Sequence, residues 1–154
     1  MKIHCLVLCI VGAMLSSCTH SSADSTASNP FVNVPFEVVA EGLQTGIDNQ
    51  QLHVIKNDAH LESFAAMATF PSGIPAVDLG VNDVIAVLPD FSGCNGIRMN
   101  NVSESADTLL VEIYETVPTT VACAAVLPGF RPYILVTVPK KGKPVSFAFA
   151  VKIV

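Results

Sequence analysis

Tryptophan is absent from this chain, tyrosine occurs twice, and aromatic residues make up only 6% of it. A broad stacking platform for sugars or nucleobases is therefore not indicated. Charge is sparse as well, at 14% of residues, and acidic residues exceed basic ones to leave a formal net charge of −5. Without a sustained basic surface, nucleic acid is not an expected partner. No Gly-x-Ser-x-Gly elbow, phosphate-binding loop or dinucleotide glycine pattern occurs. Cys-x-x-Cys and His-x-x-x-His pairs are missing too, so neither a redox dithiol nor a common zinc spacing is present. Residues 6–15 (LVLCIVGAML) form an apolar run, but a helix needs about 20 such residues to cross a bilayer.

That short run has a different use. Lys2 precedes it and Leu15-Ser16-Ser17-Cys18 follows it, giving the length and flanks of a secretory signal. The four residues resemble the lipobox of bacterial lipoproteins: an aliphatic residue, two small ones, then the cysteine that becomes the new N-terminus. The resemblance implies that residues 1–17 are removed and that Cys18 carries a thioether-linked diacylglycerol, usually with an added N-acyl chain. Each buried CH₂ contributes about 0.8 kcal/mol to anchoring, so more than one chain makes attachment stable. The alternative is an ordinary cleaved signal with an unmodified Cys18. Residues 19–30 (THSSADSTASNP) are small and polar and cannot bury enough surface to offset their ordering entropy, so residues 18–30 read as a lipidated tether. Thr19 is not the aspartate that favours inner-membrane retention in enteric-type bacteria. The expected location is the cell envelope, at the outer membrane.

Residues 31–154 then form one domain of ordinary size. Cys5 and Cys9 leave with the signal and Cys18 is taken by lipid, so Cys94 and Cys123 remain in a compartment where disulfides persist. A bond between them would close a loop of about 30 residues and contribute roughly 3–4 kcal/mol in the chain-entropy model. It requires their Cα atoms to approach within about 7 Å.

Along the domain, residues 36–40 and 51–55 read as short strands separated by Gly42, Gly46, Asp48 and Asn49. Asn57 or Asp58 is a plausible N-cap, after which Leu61, Phe64, Ala65 and Ala68 follow helical spacing. Pro71, Gly73 and Pro75 end that helix. From there the pattern is strand and turn. Residues 84–88 (VIAVL) are continuously apolar, as in a strand buried on both faces. Residues 96–103 alternate weakly and 108–117 clearly, with Leu109, Val111 and Ile113 on one side, and Leu110, Glu112 and Tyr114 on the other. Strands at 133–138 and 145–151 flank a polar KKGKP turn. The expected fold is α+β and mostly β: a small bent antiparallel sheet or barrel-like sandwich with one helix.

From residue 41 onward the chain resembles the C-terminal domain of the PrcB family, named for a protease-complex subunit. The resemblance rests on EGLQTGI at 41–47, LHVIKNDAHLESF at 52–64 and PAVDLGVNDVIAV at 75–87. It continues through SGCNGIRMNNV at 92–102 and VPTTVACAAVLPGFRPYILVTVPK at 117–140. These are apolar and turn residues in the family's order, with departures at Leu61, Leu79 and Ile97. The resemblance brings no catalytic site. It implies an envelope lipoprotein that assists or assembles with another secreted protein, a protease being one candidate.

Each residue with chemical potential also has a plain reading. Cys94 as a nucleophile would need a histidine base, and His20, His53 and His60 lie in no recognised hydrolase context. Zinc held by Cys94, Cys123, His53 and His60 has suitable ligand types but no motif. Asp78, Asp83 and Asp90 read as solvated turn residues rather than calcium ligands. Lys140, Lys141 and Lys143 could meet a lipid headgroup, though a polar turn is the simpler reading. Arg131-Pro132-Tyr133 could face a partner, or start a strand with Tyr133 packed at a sheet edge. Neither a cofactor nor a metal is expected. The sequence points to a non-enzymatic, lipid-anchored protein-binding subunit, with a small-ligand or ion-binding envelope module as the alternative.

Overall fold

A computed structural model describes residues 30–71, 73–90, 95–119 and 131–154. Cys18, Cys94 and Cys123, and with them the lipidation and disulfide assignments, lie outside the described residues. Among the described residues, eight strands and one helix run in the order β1 (Val32–Asn33), β2 (Glu37–Gln44), β3 (Gln51–Ile55), α1 (Asp58–Ala65), β4 (Asn82–Leu88), β5 (Gly96–Glu104), β6 (Leu109–Val117), β7 (Arg131–Pro139) and β8 (Val145–Ile153). They form two four-stranded sheets, β1-β5-β6-β8 and β2-β7-β4-β3. The fold is α+β and mostly β; the sheets do not close into a barrel.

The β2-β7-β4-β3 sheet is the middle of three layers. Successive side chains on a strand point to opposite faces, and β4 and β7 are apolar on both. Ile85 and Val87 of β4, with Ile134 and Val136 of β7, face the other sheet, where they meet Val111 and Ile113. Val84, Ala86 and Leu88 of β4, with Tyr133 and Leu135 of β7, face a second core that includes Phe64 of the helix. Every residue from Val84 to Leu88 is fully buried, so the continuous apolar run does mark a strand covered on both sides. The alternation read in β6 holds as well: Leu109, Val111 and Ile113 are buried and their neighbours only half so.

α1 is short and well started. Asn57 is its N-cap, and the side-chain Oδ1 accepts the His60 backbone N–H at 2.9 Å. Phe64 is its buried residue. The Phe64 ring lies 5.1 Å from His53 and 5.2 Å from Phe70, and Phe70 in turn meets Tyr133 edge-on at 5.0 Å. Gly46, in the connection from β2 to β3, has φ +106°, and a Cβ there would sit 3.2 Å from the Met67 carbonyl oxygen. Glycine is required at that turn.

One reading needs correction and one gains a finding. The KKGKP turn does join two strands, but strands of different sheets. β7 already has β2 and β4 on its two edges, so β8 crosses to the other sheet and pairs parallel with β6. Asp83 is not a solvated turn residue. β4 begins at Asn82, which places Asp83 within the strand opposite Val138, on the face it shares with Ile85 and Val87. It is 7% exposed, and its Oδ1 has no hydrogen-bond partner among the described residues.

Candidate functional site

β8 reads VSFAFAVKI, and its period of two puts Val145, Phe147, Phe149, Val151 and Ile153 on one face. Val145 and Phe147 pack against the core between the sheets. The rest of the stripe is uncovered: Phe149 is 44% exposed, Val151 65% and Ile153 70%. The other face carries Ser146, Ala148, Ala150 and Lys152.

The strand is bound on one side only. It pairs with β6 from Leu109↔Val145 to Val117↔Ile153 and, among the described residues, has no neighbour on its other edge. Flanking hydrogen bonds fix which backbone groups are used. The Pro144 carbonyl accepts the Leu109 N–H at 2.9 Å, the Val154 N–H donates to the Val117 carbonyl at 3.0 Å, and the Val154 carbonyl accepts the Thr119 N–H at 2.9 Å. Backbone groups alternate in direction along a strand, so even-numbered residues face β6. The N–H and C=O groups of residues 145, 147, 149, 151 and 153 point to the open edge.

Such an edge is usually blunted by charge, proline, a bulge or brevity. The other three edges follow that practice. β1 has two residues, and β3 has five with Gln51 and His53 among them. β2 carries Glu37 and Glu41 and a register break between Val38 and Ala40. β8 has nine residues, a single charge at Lys152, no proline and an unbroken register.

Two of the domain's other grooves hold titratable side chains that the sequence singled out or that meet across strands. One, of about 280 Å³, lies between α1 and β3 and is lined by His53, His60, Ser63, Phe64 and Met67 among others. His53 Nε2 is 2.8 Å from Gln51 Oε1, and burial against Phe64 holds the imidazole pKa below its ordinary value. The second, of about 370 Å³, lies where Glu41 of β2 approaches Arg98 of β5 at 4.0 Å. Both side chains are more than half exposed, so that pair contributes little.

The structure sorts the remaining sequence candidates. His53 and His60 share the first groove; His20 lies outside the described residues. Among the described residues, no group of three or more His, Cys, Asp or Glu could hold a metal. Asp78 is a turn residue whose Oδ1 accepts the Gly80 N–H at 2.9 Å. Lys141 and Lys143 both bind Glu104, at 2.9 and 3.0 Å, and draw its carboxyl below the ordinary carboxylate range. Lys140 donates to the Leu79 carbonyl at 2.6 Å. All three lysines are thus engaged within the domain, in a polar turn. Arg131 donates to the Asp90 carbonyl. Tyr133 is 1% exposed in the middle of a sheet, not at its edge, and burial raises its pKa.

The open edge of β8 was missed in the sequence. Its alternating pattern signals a strand with one apolar face, and nothing in the pattern reveals that half of this face lacks a cover. Compared with known proteins, the chain matches no family model, no curated protein and no solved structure.

Proposed function

We propose that this protein is a non-enzymatic, lipid-anchored component of the bacterial envelope that acts by assembling with other protein chains through the open edge of β8. The observation that carries this is the unblunted nine-residue edge, with Phe149, Val151 and Ile153 exposed along it. Main-chain pairing to such an edge supplies affinity, and alternate side chains supply selectivity. The Leu15–Cys18 lipobox supports the anchor, and the PrcB-like order of segments supports a partner among secreted proteins, a protease included. Two measurements test the proposal. Mass spectrometry of the mature protein should find acylated Cys18, and an unmodified Cys18 in the membrane fraction would overturn the anchor. Cross-linking in native membranes should give adducts that disappear in Val151→Lys; an unchanged pattern would overturn docking at β8.

A second reading, an ion-binding envelope module, is favoured by the groove between α1 and β3. His53, His60 and Met67 line it together, and imidazole with thioether suits a soft ion such as Cu(I). Under this reading the histidine NMR signals of both residues shift on Cu(I) titration. Signals that stay unmoved would dismiss it.

A further inference from the structure

Resting on the reading of β8 as a docking edge, we infer that its occupant is a second copy of this chain, with the two β8 strands antiparallel about a two-fold axis at Phe149.

The sequence of the edge is complementary to itself in that register. Residue numbers facing each other then always total the same, so Phe149 meets Phe149 of the second copy, Val151 meets Phe147, and Ile153 meets Val145. These are the residues whose N–H and C=O groups point outward. In an antiparallel ladder such residues pair as hydrogen-bonded partners, each exchanging two bonds. Every outward group of residues 145–153 is satisfied, and none is left over. Moving the axis to Ala148 puts Ile153 of each copy opposite Lys143, which lies outside the strand.

Side chains agree with the backbone. On the apolar face, the exposed Val151 and Ile153 of one copy come beside Phe147 and Val145 of the other, which already border the buried core. The uncovered part of the stripe is thereby placed next to the covered part. On the opposite face, Lys152 stands across from Ser146, and Ala148 across from Ala150. No like charges oppose each other, although the chain as a whole is acidic.

The contact is isologous, so pairing consumes the edge on both copies and closes. At the far side of the same sheet lies β1, only two residues long, which gives further copies little to extend. The product is a dimer with one continuous eight-stranded sheet, not a fibre.

The test uses the mature chain with its lipid, in density-matched detergent. Sedimentation velocity across a dilution series should show twice the protein mass, falling to one copy only at high dilution. Val151→Pro removes an outward N–H without touching the ladder to β6, and Val151→Lys introduces charge at a site 65% exposed. Both should be monomeric, with circular dichroism like that of the parent. For register, opposed residues in a hydrogen-bonded pair have Cα atoms about 5.5 Å apart, within disulfide range. Phe149→Cys should therefore give a 149–149 linked peptide by mass spectrometry, and Val145→Cys no 145–145 peptide.

A monomer at every dilution overturns the inference, as does a dimer that survives both Val151 variants or lacks the 149–149 link. The broader docking reading is judged separately. If the parent is monomeric but Val151→Lys still abolishes membrane cross-links, the edge takes a different chain. If it abolishes nothing, both readings fall.

Discussion

Phe64 is the buried residue through which α1 holds to the sheet, and replacing it with alanine tests the account of the second core. The ring is 1% exposed and touches aromatic neighbours on both sides, His53 at 5.1 Å and Phe70 at 5.2 Å. Removing a buried phenylalanine costs about 3–5 kcal/mol, which combines lost transfer energy with the cavity left behind. The upper part of that range applies here. Its core includes side chains of β4 and β7, strands held in a paired sheet that cannot readily collapse inward. A domain of this size has about 5–15 kcal/mol in total, so Phe64→Ala should remove a third or more of its stability. With a urea m-value of about 1–3 kcal/mol/M, the midpoint should fall by roughly 1 M or more. Circular dichroism is the suitable probe, since the chain lacks tryptophan. A second readout is independent of stability. Burial beside Phe64 depresses the His53 pKa, so in Phe64→Ala the imidazole should titrate nearer its ordinary value by NMR. Val81→Ala, at 61% exposure and away from β8, is the control and should cost well under the Phe64 value. A loss below about 1 kcal/mol for Phe64→Ala, with His53 unmoved, would refute the packing described here.

Other consequences follow from single contacts. Asn57→Ala should cost about 1 kcal/mol by orphaning the His60 N–H, and Asn57→Asp should retain most of it, as read by thermal unfolding. His53 has a folded pKa below its unfolded one, so the unfolded state binds the proton more readily. Stability should be full above about pH 6.5 and decline as pH falls toward the folded pKa; His53→Phe should remove that slope from a pH series of urea midpoints. Glu104 is also depressed in the folded state, by hydrogen bonds from Lys141 and Lys143. Its contribution should be present above the ordinary carboxylate pKa and be lost as pH drops through the folded value. Glu104→Gln should flatten the acid limb, and high salt should shrink the difference between the two proteins.

Much of the domain was legible because it depends on local pattern. VIAVL announced a strand covered on both faces, TLLVEIYETV announced one covered on a single face, and the pair Asn57-Asp58 announced a helix start, of which Asn57 is the cap. Each of these signals lies within a few residues of its consequence. Asp83 and Tyr133 were misplaced for the opposite reason. Both stand at the ends of apolar runs, where the sequence suggests a boundary. The strands begin one or two residues earlier, at Asn82 and Arg131, and carry these side chains into the interior. The two-residue β1 gives no period to read at all.

The same limit explains why the candidate site stayed hidden. β6 and β8 alternate alike, and nothing in either pattern ranks one as more buried. Their fates diverge through neighbours: β6 lies between β5 and β8, whereas β8 is the last strand of its sheet. A five-residue loop could equally have closed a hairpin with β7, and only the occupation of both β7 edges forbids it. Alternation therefore states that a strand has an apolar face, while topology decides whether that face is covered. In β8 the cover ends after Phe147, yet the apolar residues continue through Phe149, Val151 and Ile153. An apolar stripe continued beyond its own core, beside a row of backbone groups that no described strand pairs, is what a strand-pairing surface requires from both its side chains and its main chain.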